Sequence, residues 1–163
     1  MNNFRVIKIF AIRISTFFVL AISIFACNLK VVDGNYETIP NAKWHKDSVK
    51  TFQIPVSDTL QNHKMYINVR NDINFKYSNL WLFVEIIQPN NSKALIDTFE
   101  ITLADERGKW LGTGFGGVKT IESLYKRNVY FPASGIYDLR ITQGMRDDQL
   151  KGITEIGYRL EKE

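Results

Sequence analysis

The run Asn79-Leu-Trp-Leu-Phe-Val-Glu-Ile-Ile-Gln-Pro89 limits the possible folds more than any other stretch. Extended, it sends Leu80, Leu82, Val84 and Ile86 to one side and Trp81, Phe83, Glu85 and Ile87 to the other. The first face is wholly aliphatic and needs a core to lie on; the second is aromatic but carries a carboxylate. Branched and aromatic residues closed by Pro89 favour a strand over a buried helical turn. Other segments repeat the period of two. Phe52, Ile54 and Val56 alternate, and Pro55 between them marks an edge strand or a bulge. Met65, Ile67 and Val69 oppose Lys64, Tyr66, Asn68 and Arg70. Leu95, Asp97, Phe99, Ile101 and Leu103 share a face, with Asp97 expected near a strand end or bonded to backbone. Asp105-Glu-Arg-Gly108 reads as a hairpin turn into a return strand at Lys109-Trp-Leu-Gly112. Ile136, Leu139 and Ile141 mark a strand of imperfect alternation, and Ile156, Tyr158 and Leu160 mark the last one. Val118, Ile121, Leu124 and Tyr125 fall at helical spacing and predict one short helix over Val118 to Lys126. Short strands with turns between them predict an all-β domain, an antiparallel β-sandwich of jelly-roll or Ig-like type. Tryptophan at position 81, sitting mid-strand, is expected in its core.

The N-terminus has a different character. Arg5, Lys8 and Arg13 are the only charges before Cys27, and Ile14 to Ala26 is a 13-residue apolar and small stretch. A basic segment followed by so short an apolar run reads as a signal helix, and the charges that divide the greasy segment argue against an uncleaved anchor. Ile24-Phe25-Ala26-Cys27 then resembles a bacterial lipobox, with an aliphatic residue at −3, a small one at −1 and the acylated cysteine after it. Cys27 is the sole cysteine, so no intramolecular disulfide is open to it. The reading is a signal peptide over 1–26, a lipidated tether over 27–40 reaching about 40 Å if extended, and a folded domain over 41–163. Loss of the leader leaves 18 basic against 17 acidic residues. No basic stripe for nucleic acid remains.

Motifs with chemistry are few. Gly112-Thr-Gly114-Phe-Gly116-Gly117 fits a dinucleotide-binding pattern, with Asp138 where a ribose-binding acid would stand. Its neighbours read as antiparallel hairpins, so a glycine-rich turn is expected in place of a nucleotide site. His45 and His63 lack the spacing of zinc ligands. Asp105-Glu106 and Asp147-Asp148 lie in polar turns and do not face each other across a cleft as a glycosidase pair would. Neither catalysis nor a cofactor is expected. Trp44, Trp81 and Trp110 offer aromatic surface for sugar stacking, which makes a carbohydrate- or peptidoglycan-binding lipoprotein the alternative function. The polar excursion Gln143-Gly-Met-Arg-Asp-Asp148 interrupts the strand pattern. Met145 and Arg146, together with Trp110, are candidate partner-binding residues, since arginine makes bidentate bonds and methionine adapts its shape.

Several segments carry a family resemblance. They are Asn79 to Phe83, Asp97-Thr-Phe-Glu100, Leu103-Ala-Asp105, Gly108-Lys-Trp-Leu-Gly-Thr-Gly114, Phe131-Pro132, Gly135-Ile-Tyr137, Gln143 to Arg146, Leu150-Lys-Gly-Ile153 and Ile156-Gly157. In order and spacing, together with the lipobox and Trp44, they resemble the gliding-motility lipoprotein GldH family of Bacteroidota. Gly144 stands where that family would place alanine. The resemblance implies a non-catalytic envelope lipoprotein acting with gliding-motility and type IX secretion proteins. It implies palmitate-type acylation on Cys27. The residues after that cysteine, Asn28-Leu29-Lys30, carry neither the acidic run of surface export nor the aspartate at +2 of inner-membrane retention, so a domain facing the periplasm is expected, with the outer membrane slightly favoured over the inner.

If Cys27 is the acylated N-terminus, Cys27→Ala abolishes labelling by an alkynyl fatty acid and leaves the protein at its uncleaved mass. Unchanged labelling of that variant would remove the assignment.

Overall fold

The computed structural model describes residues 30–92 and 94–163. Cys27 and the leader lie outside them. Ten strands are present among the described residues: β1 (Val31–Thr38), β2 (Lys43–His45), β3 (Lys50–Val56), β4 (His63–Asp72), β5 (Asn79–Ile87), β6 (Ala94–Thr102), β7 (Val118–Val129), β8 (Gly135–Gln143), β9 (Gln149–Lys151) and β10 (Ile153–Lys162).

Eight of them build two antiparallel four-stranded sheets, in the orders β1-β10-β4-β7 and β3-β8-β5-β6. Within these the pairing is nested: β1 with β10, β3 with β8, β4 with β7, β5 with β6. Successive nested pairs alternate between the sheets, which is the jelly-roll arrangement. The short β2–β9 pair sits apart, with Trp44 opposite Leu150. All eight long strands therefore run between two ends. A near end gathers the start of β1, the end of β10 and the loops 57–62 and 130–134. A far end gathers the loops 73–78, 103–117 and 144–148.

The aliphatic face of β5 is fully buried, with Leu80, Leu82 and Val84 at the centre. Met65, Ile67 and Val69 of β4 and Ile156, Tyr158 and Leu160 of β10 come from the other sheet. β3 is an edge strand, as Pro55 requires, and its Phe52 ring meets Tyr158 edge-on at 5.3 Å. In β8 the inward residues are Tyr137, Leu139 and Ile141, while Ile136 points outward. The alternation expected to be imperfect is regular once Tyr137 replaces Ile136.

Three expectations need correction. Val118 to Lys126 is not a helix but most of β7, a long edge strand whose residues are half-buried on both faces. Its pairing with β4 shifts register around Met65, which breaks the period of two in the sequence. Val31–Thr38 is not free tether but β1, laid along β10. Its polar composition suits an edge strand with one open side. The return strand expected at Lys109 to Gly112 is reduced to a single bridge between Ala104 and Trp110.

Gly157 is what lets β1 dock. A Cβ built there would stand 2.4 Å from the Asn35 carbonyl and 2.8 Å from the Tyr36 ring, which lies over the glycine. Arg70 then stacks on Tyr36 at 4.7 Å from the ring centre. Because one of these clashes is with backbone, Gly157→Ala pushes β1 off the sheet. It is expected to lose about 1–3 kcal/mol of stability, read as a melting temperature several degrees lower and as early proteolytic release of the segment before Ile39. An unchanged melting curve would show that β1 contributes little.

Candidate functional site

At the far end β8 runs out at Gln143, and residues 144–148 turn the chain toward β9. Gln143 continues the inward row of β8 and is buried, so its amide must find partners. It finds them in the turn itself: Nε2 donates to the Asp147 carbonyl at 2.8 Å, and Oε1 accepts the Met145 N–H at 2.8 Å. Gly144 N–H donates to the Trp81 carbonyl at 2.7 Å, which carries the β8–β5 ladder one step past the strand. The Trp81 N–H in turn faces Met145 Sδ at 3.3 Å. A Cβ on Gly144 would come within 3.3 Å of the Phe83 ring. The alanine expected there would fit only if that ring and the Trp81 carbonyl, also 3.3 Å from such a Cβ, both gave way slightly.

The acids of the turn have partners. Asp147 accepts from Lys76 at 2.7 Å and from the Tyr77 hydroxyl at 3.1 Å. Asp148 accepts from Lys46 at 2.7 Å. Both carboxyls are held below the usual carboxylate range, first by those ammonium hydrogen bonds. Arg146 is different: it is exposed and makes no ion pair among the described residues.

Around this turn Tyr77, Asn79, Trp81, Gly144, Met145 and Arg146 line an open cleft of about 360 Å³. Two of the three expected partner-binding residues, Met145 and Arg146, meet there. Trp110 does not line the cleft; it stands on the 103–117 excursion, half-buried and packed against the core. Trp81, expected in the core, is 39% exposed and forms the cleft wall. Its parity with Glu85 was the signal for that position, since both belong to the outward face of β5. From Trp81 an apolar stripe continues over the outer face through Phe83, which is 50% exposed, to Ile96, which is 72% exposed. Ile96 pairs with Glu85, which places it diagonally opposite Phe83.

The other motifs resolve as geometry. Gly112 to Gly117 forms a turn leading into β7, tied by the antiparallel bridge between Thr113 and Thr120, with Gly116 at φ 68°. No parallel strand–helix unit is built from it, and Phe115 at its tip is fully exposed. Nothing in the residue pattern singled out Phe115. His45 belongs to β2 at the far end and His63 to the start of β4 at the near end. Among the described residues no three His, Cys, Asp or Glu side chains gather closely enough to hold a metal ion. Trp44 is buried and donates its indole N–H to the Ser48 carbonyl at 2.7 Å.

Comparison with known proteins bears on all of this. Residues 31–160 match the family model described as GldH lipoprotein. A protein of Christiangramia forsetii named "Gliding motility lipoprotein GldH homolog" is 40% identical over 153 residues, covering 89% of this chain and 93% of the relative. The "Gliding motility lipoprotein GldH" of Flavobacterium johnsoniae is 36% identical over 149 residues, covering 87% and 91% respectively. Among solved structures, a chain from the infectious bursal disease virus Gx strain aligns over 82% of this chain and 32% of its own. At a TM-score of 0.33 and 11% identity, that likeness carries no argument. The family match and both relatives span most of the chain, and the chain belongs to the GldH lipoprotein family.

Proposed function

We propose that this chain is a non-catalytic, lipid-anchored envelope protein that works in gliding motility by binding other proteins of the motility and type IX secretion machinery. The relatives named for gliding motility support the process. The observation that supports protein contact is the far-end cleft, where an exposed tryptophan, a thioether and an unpaired guanidinium converge beside an exposed apolar stripe. Arginine, methionine and aromatics are the residue types enriched at interfaces, and contiguous apolar surface of this kind marks interaction sites. A sugar platform would need several exposed indoles. Trp44 is buried and Trp110 half-buried, leaving only Trp81, which weighs against the carbohydrate-binding alternative.

The domain is assigned to the periplasmic face, on the outer membrane in preference to the inner. Asn28-Leu29-Lys30 after Cys27 lacks an acidic run of the kind expected for surface export. If so, protease added to intact cells leaves the protein whole, and degradation would contradict the placement.

Arg146→Ala tests the cleft. Gln143, Lys76 and Lys46 hold the turn without Arg146, so its removal leaves the melting temperature within about a degree of the parent. Loss of an interface hot spot of about 2 kcal/mol lowers partner affinity about thirtyfold. Crosslinking in cells from position 79 on the cleft lining, with mass spectrometry of the products, should capture envelope proteins while Arg146 is in place and far less of them in Arg146→Ala. A variant that melts several degrees early while retaining its partners would make the loop structural.

A further inference from the structure

The short distance between the lipid site and the first strand fixes which end of the domain meets the membrane. Between Cys27 and β1 lie only Asn28, Leu29 and Lys30. Lys30 is itself tied down, because its carbonyl accepts the Lys162 N–H at 2.8 Å. The span from Cys27 to Lys30 is therefore at most about 11 Å. The near end of the sandwich is wider than that. Four strands about 4.8 Å apart, facing a second sheet about 10 Å away, give an end face roughly 15–20 Å across. A domain tied at one corner by so short a span has its near-end loops within reach of the same surface.

Those loops present apolar and amphipathic side chains. Leu60, at the tip of the 57–62 loop, is 92% exposed. Tyr130 is 57% exposed with Leu95 about half exposed beside it, and Ile136, also about half exposed, stands at the start of β8 at this end. Leu95, Tyr130 and Pro132 also line an apolar cleft of about 240 Å³ that opens at this end. The charges here are mixed, with Lys30, Lys64 and Lys162 set among Asp58, Glu161 and Glu163. The far end has exposed apolar tips too, at Ile73, Leu111 and Phe115. The tether is what separates the two ends, since ten-residue strands put the far end about 30 Å away.

We propose that the near end is a second membrane contact, in which Leu60 and Tyr130 rest in the interfacial layer of the bilayer that holds the Cys27 lipid. A leucine in a loop tip loses water there, and a tyrosine keeps its hydroxyl among the headgroups while its ring is buried. With mixed charge, the contact does not depend on anionic lipid. It leaves the Trp81–Arg146 cleft facing away from the membrane. The proposal rests on acylation of Cys27, and the experiment separates the two.

The full lipidated protein is reconstituted into vesicles of phosphatidylethanolamine and phosphatidylglycerol. It carries one introduced thiol, Leu60→Cys, Tyr130→Cys, Arg107→Cys or Phe115→Cys, labelled with bimane. Cys27 is blocked by its own acyl group. Nitroxide placed on the lipid headgroup or high on the acyl chain is expected to quench positions 60 and 130 several-fold more than 107 and 115. Position 115 controls for apolarity alone. Equal, weak quenching at all four sites, in protein that floats with the vesicles and carries the acyl mass on Cys27, overturns the proposal and leaves the anchor standing. Protein that neither floats nor carries that mass removes the anchor and the proposal together. Crosslinks from 60 and 130 to a protein in cells, without lipid quenching, would assign this end to a protein partner and also overturn it.

Discussion

The pairing of the first strand with the last is the contact on which the rest of this molecule depends. Asn35, Tyr36 and Glu37 of β1 lie against Tyr158, Gly157 and Ile156 of β10, more than a hundred residues later in the chain. β10 is the seam: β4 flanks it on its other side, and its inner face supplies Ile156, Tyr158 and Leu160 to the core. The nested order means that each outer pair closes a longer loop than the pairs inside it. Long loops must be ordered before their contacts return any stability, which makes slow folding the expectation for such a topology. Within the seam, burial and then the Asp33 carboxylate raise the pKa of the Tyr158 phenol well above its ordinary value. The phenol stays protonated and donates to Asp33 at 2.6 Å, a further tie between the two strands.

On the opposite side of the sandwich the edge strands are β6 and β7. An open edge of nine residues with exposed Leu95 and Ile96 invites pairing with another chain. Asp97 explains how that is restrained. It points inward from the middle of β6, not from a strand end, but the expected bond to backbone is present, with Oδ1 accepting the Thr98 N–H at 2.9 Å; Oδ2 accepts from Lys126 at 2.6 Å and from the Tyr125 hydroxyl at 3.3 Å, both on β7 of the facing sheet. Phe99 meets Tyr125 edge-on at 5.1 Å just inside the polar cluster. Lys126 lowers the Asp97 pKa, while burial first and Asp97 second raise that of Tyr125. The carboxylate that looked out of place on an apolar face thus joins the two sheets where backbone pairing cannot. An inward charge on an edge strand also penalises any slide or added strand that would strip it of its partner.

What the sequence revealed follows from how many sides of each strand are covered. β3, β4, β5 and β10 each turn one face to the core and one outward, so their alternation was legible. β7 was not, because half-burial on both faces and a shifted register erased the period and left apolar residues at helical intervals. β1 was missed for the opposite reason. It carries almost no apolar signal, and its partner is distant in the chain. Trp81 shows a conflict between two rules: residue type argued for the core, parity with Glu85 argued for the surface, and parity prevailed. Met145 and Arg146 were found because polarity interrupted a strand pattern. The residue that organises them, Gln143, was hidden, because an amide at a strand end looks like the start of a loop until its burial is seen.

The charges of the 144–148 turn differ in a way that bears on recognition. Lys76 and Lys46 each hold an acid of the turn, and those bonds are internal to the domain. Had Arg146 paired with Asp147 or Asp148, its guanidinium would have been committed to the loop. It lines the cleft instead beside Trp81 and Met145, exposed and without an ion pair among the described residues. A free surface arginine adds little to the stability of its own domain. On a partner's carboxylate, however, its planar fork forms two parallel hydrogen bonds, and less entropy is lost per bond than with lysine. The neighbouring indole and thioether can exclude water from that pair as the surfaces close, which strengthens it. The turn is thus fixed by Gln143 and two lysines, and Arg146 alone is left available. That division of labour makes sense if the guanidinium is the part of the loop meant for another molecule.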